Sequence, residues 1–227
     1  MEKVGLVVAV VALIIALASI MLSYFIERVR KPKLIVSTLV PTSDLLDTTA
    51  KELTWCVVLK NIPNSGCFRF VGRQTAKDVR VRLDIQEGPR RLFAEEFGDA
   101  GVELSILELP PNIKHIWKIK DLPIPRLAIA DIVPNRHYLV PIVYKLSEKM
   151  SCILVDQHDK REGKHELPEA KQYKLYLKIT GENVNSEFPF ILTNEGYSFH
   201  TFTLQVAKVV KTKPGKESQL IPLDKKN

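Results

Sequence analysis

Glycine is scarce in this chain, 10 in 227 residues, and none of it forms a phosphate-cradling loop. Neither GxxxxGK[ST] nor GxGxxG occurs, so the sequence offers none of the glycine-rich turns that bring backbone amides up to a nucleotide. Cysteine is equally sparse. There are three, Cys56, Cys67 and Cys152, with no CxxC and no Asn-x-Ser/Thr acceptor. An odd count without paired spacing argues against a disulfide-stapled secreted domain. Each lies among apolar neighbours (TWCVVL, GCFRF, SCILV), so buried free thiols are expected. No GxSxG elbow is present, and no cysteine sits in a recognisable nucleophile context. Trp55 and Trp117 read as core residues. His115, His137 and His200 lie in or beside strand-like segments and read as structural.

The densest set of chemistry-bearing side chains is DQHDKREGKHE, with Asp156, His158, Asp159, His165 and Glu166. Imidazole and carboxylate are suitable zinc ligands. The spacing matches no metal motif, however, and Lys160, Arg161 and Lys164 stand among the acceptors and would repel a cation. The stretch therefore reads as a solvated loop, with no metal and no cofactor expected.

Positive charge is also missing from the place where a nucleic-acid reader needs it. The formal net charge is +7, yet residues 34–207 carry 22 basic and 22 acidic side chains. The excess sits in two flanks, 27–33 and the tail after 207. A basic face on the folded body would indicate nucleic acid, and none is expected.

One long apolar run is present. Residues 4–26 hold no charge. As a helix they would reach about 34 Å, enough for a hydrocarbon core of about 30 Å. Ala16-Leu17-Ala18 fits a cleavage pattern, but the run is longer than the core of a signal peptide, so an uncleaved single-pass signal-anchor is expected. Arg28, Arg30, Lys31 and Lys33 follow it directly. The positive-inside rule then places the N-terminus outside and the rest of the chain in the cytoplasm, with the reverse orientation as the alternative. The same four side chains suit anionic lipid headgroups. Within the run, Gly5, Ala9, Ala12, Ala16, Ser19 and Ser23 recur at steps of four, three, four, three and four. That repeat aligns small residues on one helix face, where backbones can approach closely in lipid. The face reads as a packing surface for a second copy or a partner helix.

Beyond Pro32 the pattern turns to period two. In 76–86, Val79, Val81, Leu83 and Ile85 alternate with Asp78, Arg80, Arg82, Asp84 and Gln86, the mark of a half-buried strand. In 173–181, Tyr173, Leu175, Leu177 and Ile179 alternate with Lys174, Tyr176 and Lys178. Further strands are expected at 33–40, 53–61, 102–109, 114–120, 127–133, 137–146, 151–157, 188–193 and 197–210. Pro141, inside an apolar run, calls for an edge or a bulge. Only 90–97 reads as a short soluble helix. About ten strands without intervening helices imply an antiparallel sandwich or barrel. The expected organisation is an N-terminal end at 1–3, a transmembrane helix at 4–26, a basic juxtamembrane segment at 27–33, a β-sandwich at 34–210 and a disordered basic tail at 211–227.

The stretch WCVVLKN, then NSG, then AKDVRVRL from Ala76, resembles the V-x-N-x-G and A-x-x-V-x-V pattern of immunoglobulin-like β-sandwich modules, the CARDB-type among them. It departs in placing nine residues between Gly66 and Ala76, where a few are usual. With the anchor helix, the layout resembles membrane-anchored prokaryotic proteins of this kind. The resemblance implies an immunoglobulin-like sandwich with insertions and a binding or scaffolding role without chemistry. The expected function is tethering of a protein partner at the membrane. The alternatives are an accessory subunit of a membrane complex recognised through its helix, or a hydrolase or metal-dependent enzyme with its site in the sandwich loops.

Overall fold

The computed structural model describes residues 2–39, 52–93, 101–109, 126–147, 150–154, 166–168, 170–210 and 219–223. In chain order a single helix, α1 (Glu2–Arg30), precedes β1 (Leu34–Leu39), β2 (Glu52–Asn61), β3 (Ala76–Glu87), β4 (Arg90–Leu92), β5 (Val102–Leu104), β6 (Ile106–Glu108), β7 (Arg126–Leu127), β8 (Ala130–Ile132), β9 (His137–Leu146), β10 (Cys152–Leu154), β11 (Glu166–Leu167), β12 (Ala170–Gly181), β13 (Val184–Asn194), β14 (Phe202–Val210) and β15 (Gln219–Pro222). The expected all-β sandwich behind one apolar helix is what the chain forms.

The first sheet runs β1-β2-β9-β10-β11, with β6 also on β9 and β7 on β6. The second runs β15-β14-β13-β12-β3-β4, with β5 and β8 also on β3. All these strand pairs are antiparallel. The inward residues of both sheets share one core. Trp55, Val57 and Leu59 of β2 and Tyr138, Val140 and Ile142 of β9 belong to the same cluster as Val79, Val81, Leu83 and Ile85 of β3 and Tyr173, Leu175, Leu177 and Ile179 of β12. Removing this much apolar surface from water, about 25 cal/mol per Å2, is the main force holding the layers together.

The two alternating segments read from sequence become the paired strands β3 and β12, in register from Thr180↔Arg80 to Lys174↔Gln86. Their inward sets are buried. β2 and β9 depart from strict alternation because both their faces are covered: Cys56, Val58, Leu107 and Leu139 form a second apolar cluster. Pro141 resolves as a bulge. Trp55 pairs with Val143 and Cys56 with Pro141, so Ile142 is the extra residue. β9 is an interior strand, and the bulge is how it accommodates a residue without an amide hydrogen. The segment 102–109 splits at buried Ser105. β5 pairs with β3 in the second sheet, while β6 pairs with β9 in the first. One residue thus carries the chain across the sandwich.

Three expectations are corrected. The short helix at 90–97 is absent where the structure describes it: residues 90–92 are β4, turned back on β3 through Gly88 at φ +59. Gly88 takes a left-handed conformation that ends any helical start, and Leu92 packs against the core as a strand residue. The tail at 211–227 is not wholly irregular, because Gln219–Pro222 pairs with β14 from Ala207↔Pro222 to Val210↔Gln219. Leu220 and Ile221 supply strand character that its flanking lysines obscure. The thiols are not all buried: Cys56 and Cys152 are, whereas Cys67 is exposed. The strand expected at 114–120, with His115 and Trp117, lies outside the described residues. So do Asp156, His158, Asp159 and His165.

Candidate functional site

The most distinctive local arrangement lies where α1 meets the sandwich. From Leu6 onward α1 is long and apolar enough to cross a membrane and has none of its span buried against the protein. Its exposed apolar surface suits a non-aqueous surrounding, which a helix tolerates because its backbone polar groups are bonded internally. Covering by the sandwich begins only at its last turns. Ile26 and Val29 are half-buried, and the Phe25 ring lies 5.3 Å from that of Phe68.

What covers them is the segment linking β2 to β3. Two asparagines shape it. Asn61, fully buried at the end of β2, accepts from the Lys33 amide (3.2 Å) and donates to the carbonyls of Gln74 (2.8 Å) and Ile132 (3.2 Å). It satisfies one donor and two acceptors from three separate segments with a single side chain, as a buried amide must. Asn64 donates to the carbonyls of Val29 (3.2 Å) and Val71 (2.6 Å). It thereby caps the C-terminal end of α1, where carbonyls lack helical partners. Backbone bonds finish the junction: Gln74 N to Arg30 O (2.7 Å) and Ile62 N to Lys33 O (3.1 Å). An Arg73 guanidinium nitrogen adds a bond to Lys31 O (2.8 Å).

Between the two asparagine anchors and β3 the chain makes one 3-10 turn, Gly66–Phe68. Gly66 opens it at φ +66, a conformation open to glycine and costly for residues with a Cβ. The turn projects Cys67, Phe68, Arg69 and Phe70. Phe70 is 81% exposed, and the Arg69 guanidinium lies 4.7 Å from its ring centre.

The basic residues expected to meet lipid are brought together here. Arg28, Arg30, Lys31 and Lys33 all have exposed side chains, while the Arg30, Lys31 and Lys33 backbones are the ones pinned by the junction. The small-residue face lies elsewhere on α1. Ala9, Ala12, Ala16, Ser19 and Ser23 are exposed, and Gly5 lies within the helix. At about 100° per residue these six stay within about 40° of one line. Phe25, Ile26 and Val29 centre about 110° around the helix from it. The sandwich therefore docks beside the small-residue face and leaves it clear. The Ser19 hydroxyl donates to Ile15 O (2.8 Å), so its donor is spent within its own helix and its oxygen remains as an acceptor.

Elsewhere the polar side chains serve the fold. Asp84 is buried, held by Arg91 at 2.5 Å and Lys178 at 3.6 Å. Those contacts take up part of the Lys174–Tyr176–Lys178 face of β12. Buried Lys145 donates to Met150 O (3.0 Å) and Asn194 Oδ1 (2.8 Å). Burial pushes the Cys56 and Cys152 thiols up to about 12, so neither is a thiolate at neutral pH. His137, largely exposed, is held below its usual range by desolvation and by Lys60. His200 is exposed, and Glu166 accepts from the Ser151 hydroxyl. Among the described residues no three His, Cys, Asp or Glu side chains gather as a metal-binding group.

Sequence reading overlooks the turn at 66–70 and its docking on α1. The available signal was the departure itself: nine residues where the resembled pattern has a few, containing Phe-Arg-Phe. No family model, curated protein or solved structure matches the chain.

Proposed function

We propose that the chain is a single-pass membrane protein that presents an immunoglobulin-like sandwich of CARDB type beside the bilayer and holds a protein partner there. The observation that carries this reading is the junction. A domain hung on a flexible linker sweeps all orientations. Here Asn64 and the Gln74 amide donate to Val29 O and Arg30 O of α1, and Arg73, Asn61 and Ile62 hold Lys31 and Lys33 just beyond it, so the sandwich meets membrane-bound partners in one pose. Confinement at the membrane raises its effective concentration toward them, and modest affinity is sufficient. The basic flank favours a cytoplasmic sandwich with the N-terminus outside. A reporter fused after Asn227 tests this: activity of a cytoplasm-dependent reporter is expected, and activity only of an export-dependent one overturns the orientation.

A second reading makes α1 the recognised element in a larger membrane complex. It is favoured by the unobstructed small-residue face. One experiment separates the two. The full chain, and a form with residues 4–24 replaced by an unrelated apolar span, are recovered from solubilised membranes of the native host. Equal co-recovery of the same protein with both assigns recognition to the sandwich. Co-recovery with the native helix alone assigns it to α1. Recovery of nothing above background from either overturns both.

A further inference from the structure

The turn at 66–70 has no role in holding the core together, yet it carries Phe70 almost bare to solvent. Its height along α1 identifies its surroundings. About 20 helical residues span the hydrocarbon core. Centred on the uncharged run at 4–26, they end near residue 25. Phe25 therefore sits at the boundary between acyl chains and headgroups, where aromatic rings concentrate. The Phe68 ring meets that ring at 5.3 Å, tilted by 59°, so the turn reaches the same height, about one helical turn closer to the N-terminus of α1 than Val29, where Asn64 is fastened. Phe70 follows two residues on and is exposed, and Arg69, over its ring, is exposed, as are Arg28 and Arg30 of α1 and Lys31 just after it.

We infer that the turn Gly66–Phe70 is a second membrane contact. Phe68 and Phe70 enter the headgroup–acyl boundary beside α1, and Arg69 joins Arg28, Arg30 and Lys31 on the phosphates of anionic lipids. Such a wedge is the loop counterpart of an interfacial amphipathic helix, with apolar rings below and basic groups above. It fixes the tilt of the sandwich against the bilayer, which the helix alone leaves free. The inference rests on α1 spanning a membrane.

Cys67 gives the test, since it lies inside the turn and the other two thiols are buried. The full chain, labelled there with an environment-sensitive nitrobenzoxadiazole probe, is reconstituted into phosphatidylcholine vesicles with and without phosphatidylglycerol. Co-flotation with vesicles reports insertion of α1 independently. In the floated fraction the expected result is blue-shifted emission, protection from iodide, and quenching by lipids brominated near the top of the acyl chain, each stronger with phosphatidylglycerol. Phe70→Ser should float equally but lose most of the blue shift and the bromolipid quenching. Arg69→Glu should lose the phosphatidylglycerol increment. Phe70 touches little of the protein, so its replacement does not threaten the fold. A probe that floats yet stays open to iodide and insensitive to bromolipid overturns the inference and returns the turn to contact with water or a protein. Phe70→Ser behaving as the parent overturns it equally, because the probe alone would then account for the insertion.

Discussion

Asn61 is the residue on which the junction turns. One amide joins Lys33, Gln74 and Ile132, and removing it strands one donor and two acceptors, those at Lys33 and Gln74 half-buried and that at Ile132 buried. Buried groups left without partners cost about 1–3 kcal/mol each, moderated where water enters. Asn61→Ala should therefore destabilise the sandwich by roughly 3 kcal/mol. It should also speed hydrogen exchange at the Lys33 amide, whereas Asn64→Ala should spare the sandwich core and loosen only the end of α1 and the turn up to Val71. Thermal melting and exchange rates check both. The thiols make a separate prediction. Cys56 and Cys152 titrate near 12 when folded and near 9 when exposed. Below pH 9 both states are protonated and nothing is lost. As pH climbs from about 9 toward 12 the unfolded chain releases protons that the folded chain retains, so stability falls with rising pH. Denaturant midpoints should drop across that window and drop less in Cys56→Ala. At pH 8 a disulfide reagent should modify Cys67 alone until the protein is unfolded. Sequence context misled at this scale, because GCFRF looks as apolar as TWCVVL. Only the three-dimensional position of the turn shows that Cys67 is exposed among the described residues.

The elements divide by how local their cause is. β3 and β12 were legible because a period-two pattern is written wholly within one strand, and each has one wet face. β9 was legible as a strand, but its interior place was not, because pairing with β2 on one side and with β6 and β10 on the other is a long-range fact. The helix expected at 90–97 failed for a similar reason. Arg-Arg-Leu has helical propensity, but a preceding left-handed Gly88 commits the chain to a hairpin, and pairing with Ile85 outweighs propensity. β15 hid among lysines because a four-residue edge strand carries almost no periodic signal. At α1 the small-residue face makes its own prediction. Ala9→Ile, Ala12→Ile and Ala16→Ile together should reduce helix association severalfold in a membrane two-hybrid assay, while leaving the Phe25–Phe68 contact and the melting of the sandwich unchanged. An unchanged association signal removes the face as a packing surface. Ser19→Ala should matter less than any of these, since the Ser19 donor is already bonded to Ile15 O.

At the scale of the whole molecule, the apolar helix and the β-rich body could be read directly as blocks of composition, although α1 runs on to Arg30, past the end expected at residue 26. Their mutual arrangement could not. It depends on two asparagines in a turn-rich stretch, and asparagine there is equally at home as a solvated turn residue. Lengthening the connection at Pro32 with a flexible glycine–serine insert should leave the sandwich's melting temperature nearly unchanged. It should break the bonds from Gln74 to Arg30 and from Asn64 to Val29, and so increase exchange at the Gln74 amide. If partner recovery survives such an insert undiminished, a fixed pose is not required for binding.

Only Lys31, Pro32 and Lys33 separate α1 from β1, a reach of about 10 Å at full extension. A sandwich of this size is about 40 Å across. On the proposed reading, in which α1 spans a bilayer, every surface of the sandwich lies within about 50 Å of that bilayer, and a partner would be sought in two dimensions. Membrane neighbours with epitopes inside that shell would be met repeatedly by lateral diffusion, and one whose epitope stands on a taller stalk would not. On that reading the brevity of three residues acts as a height filter on partners.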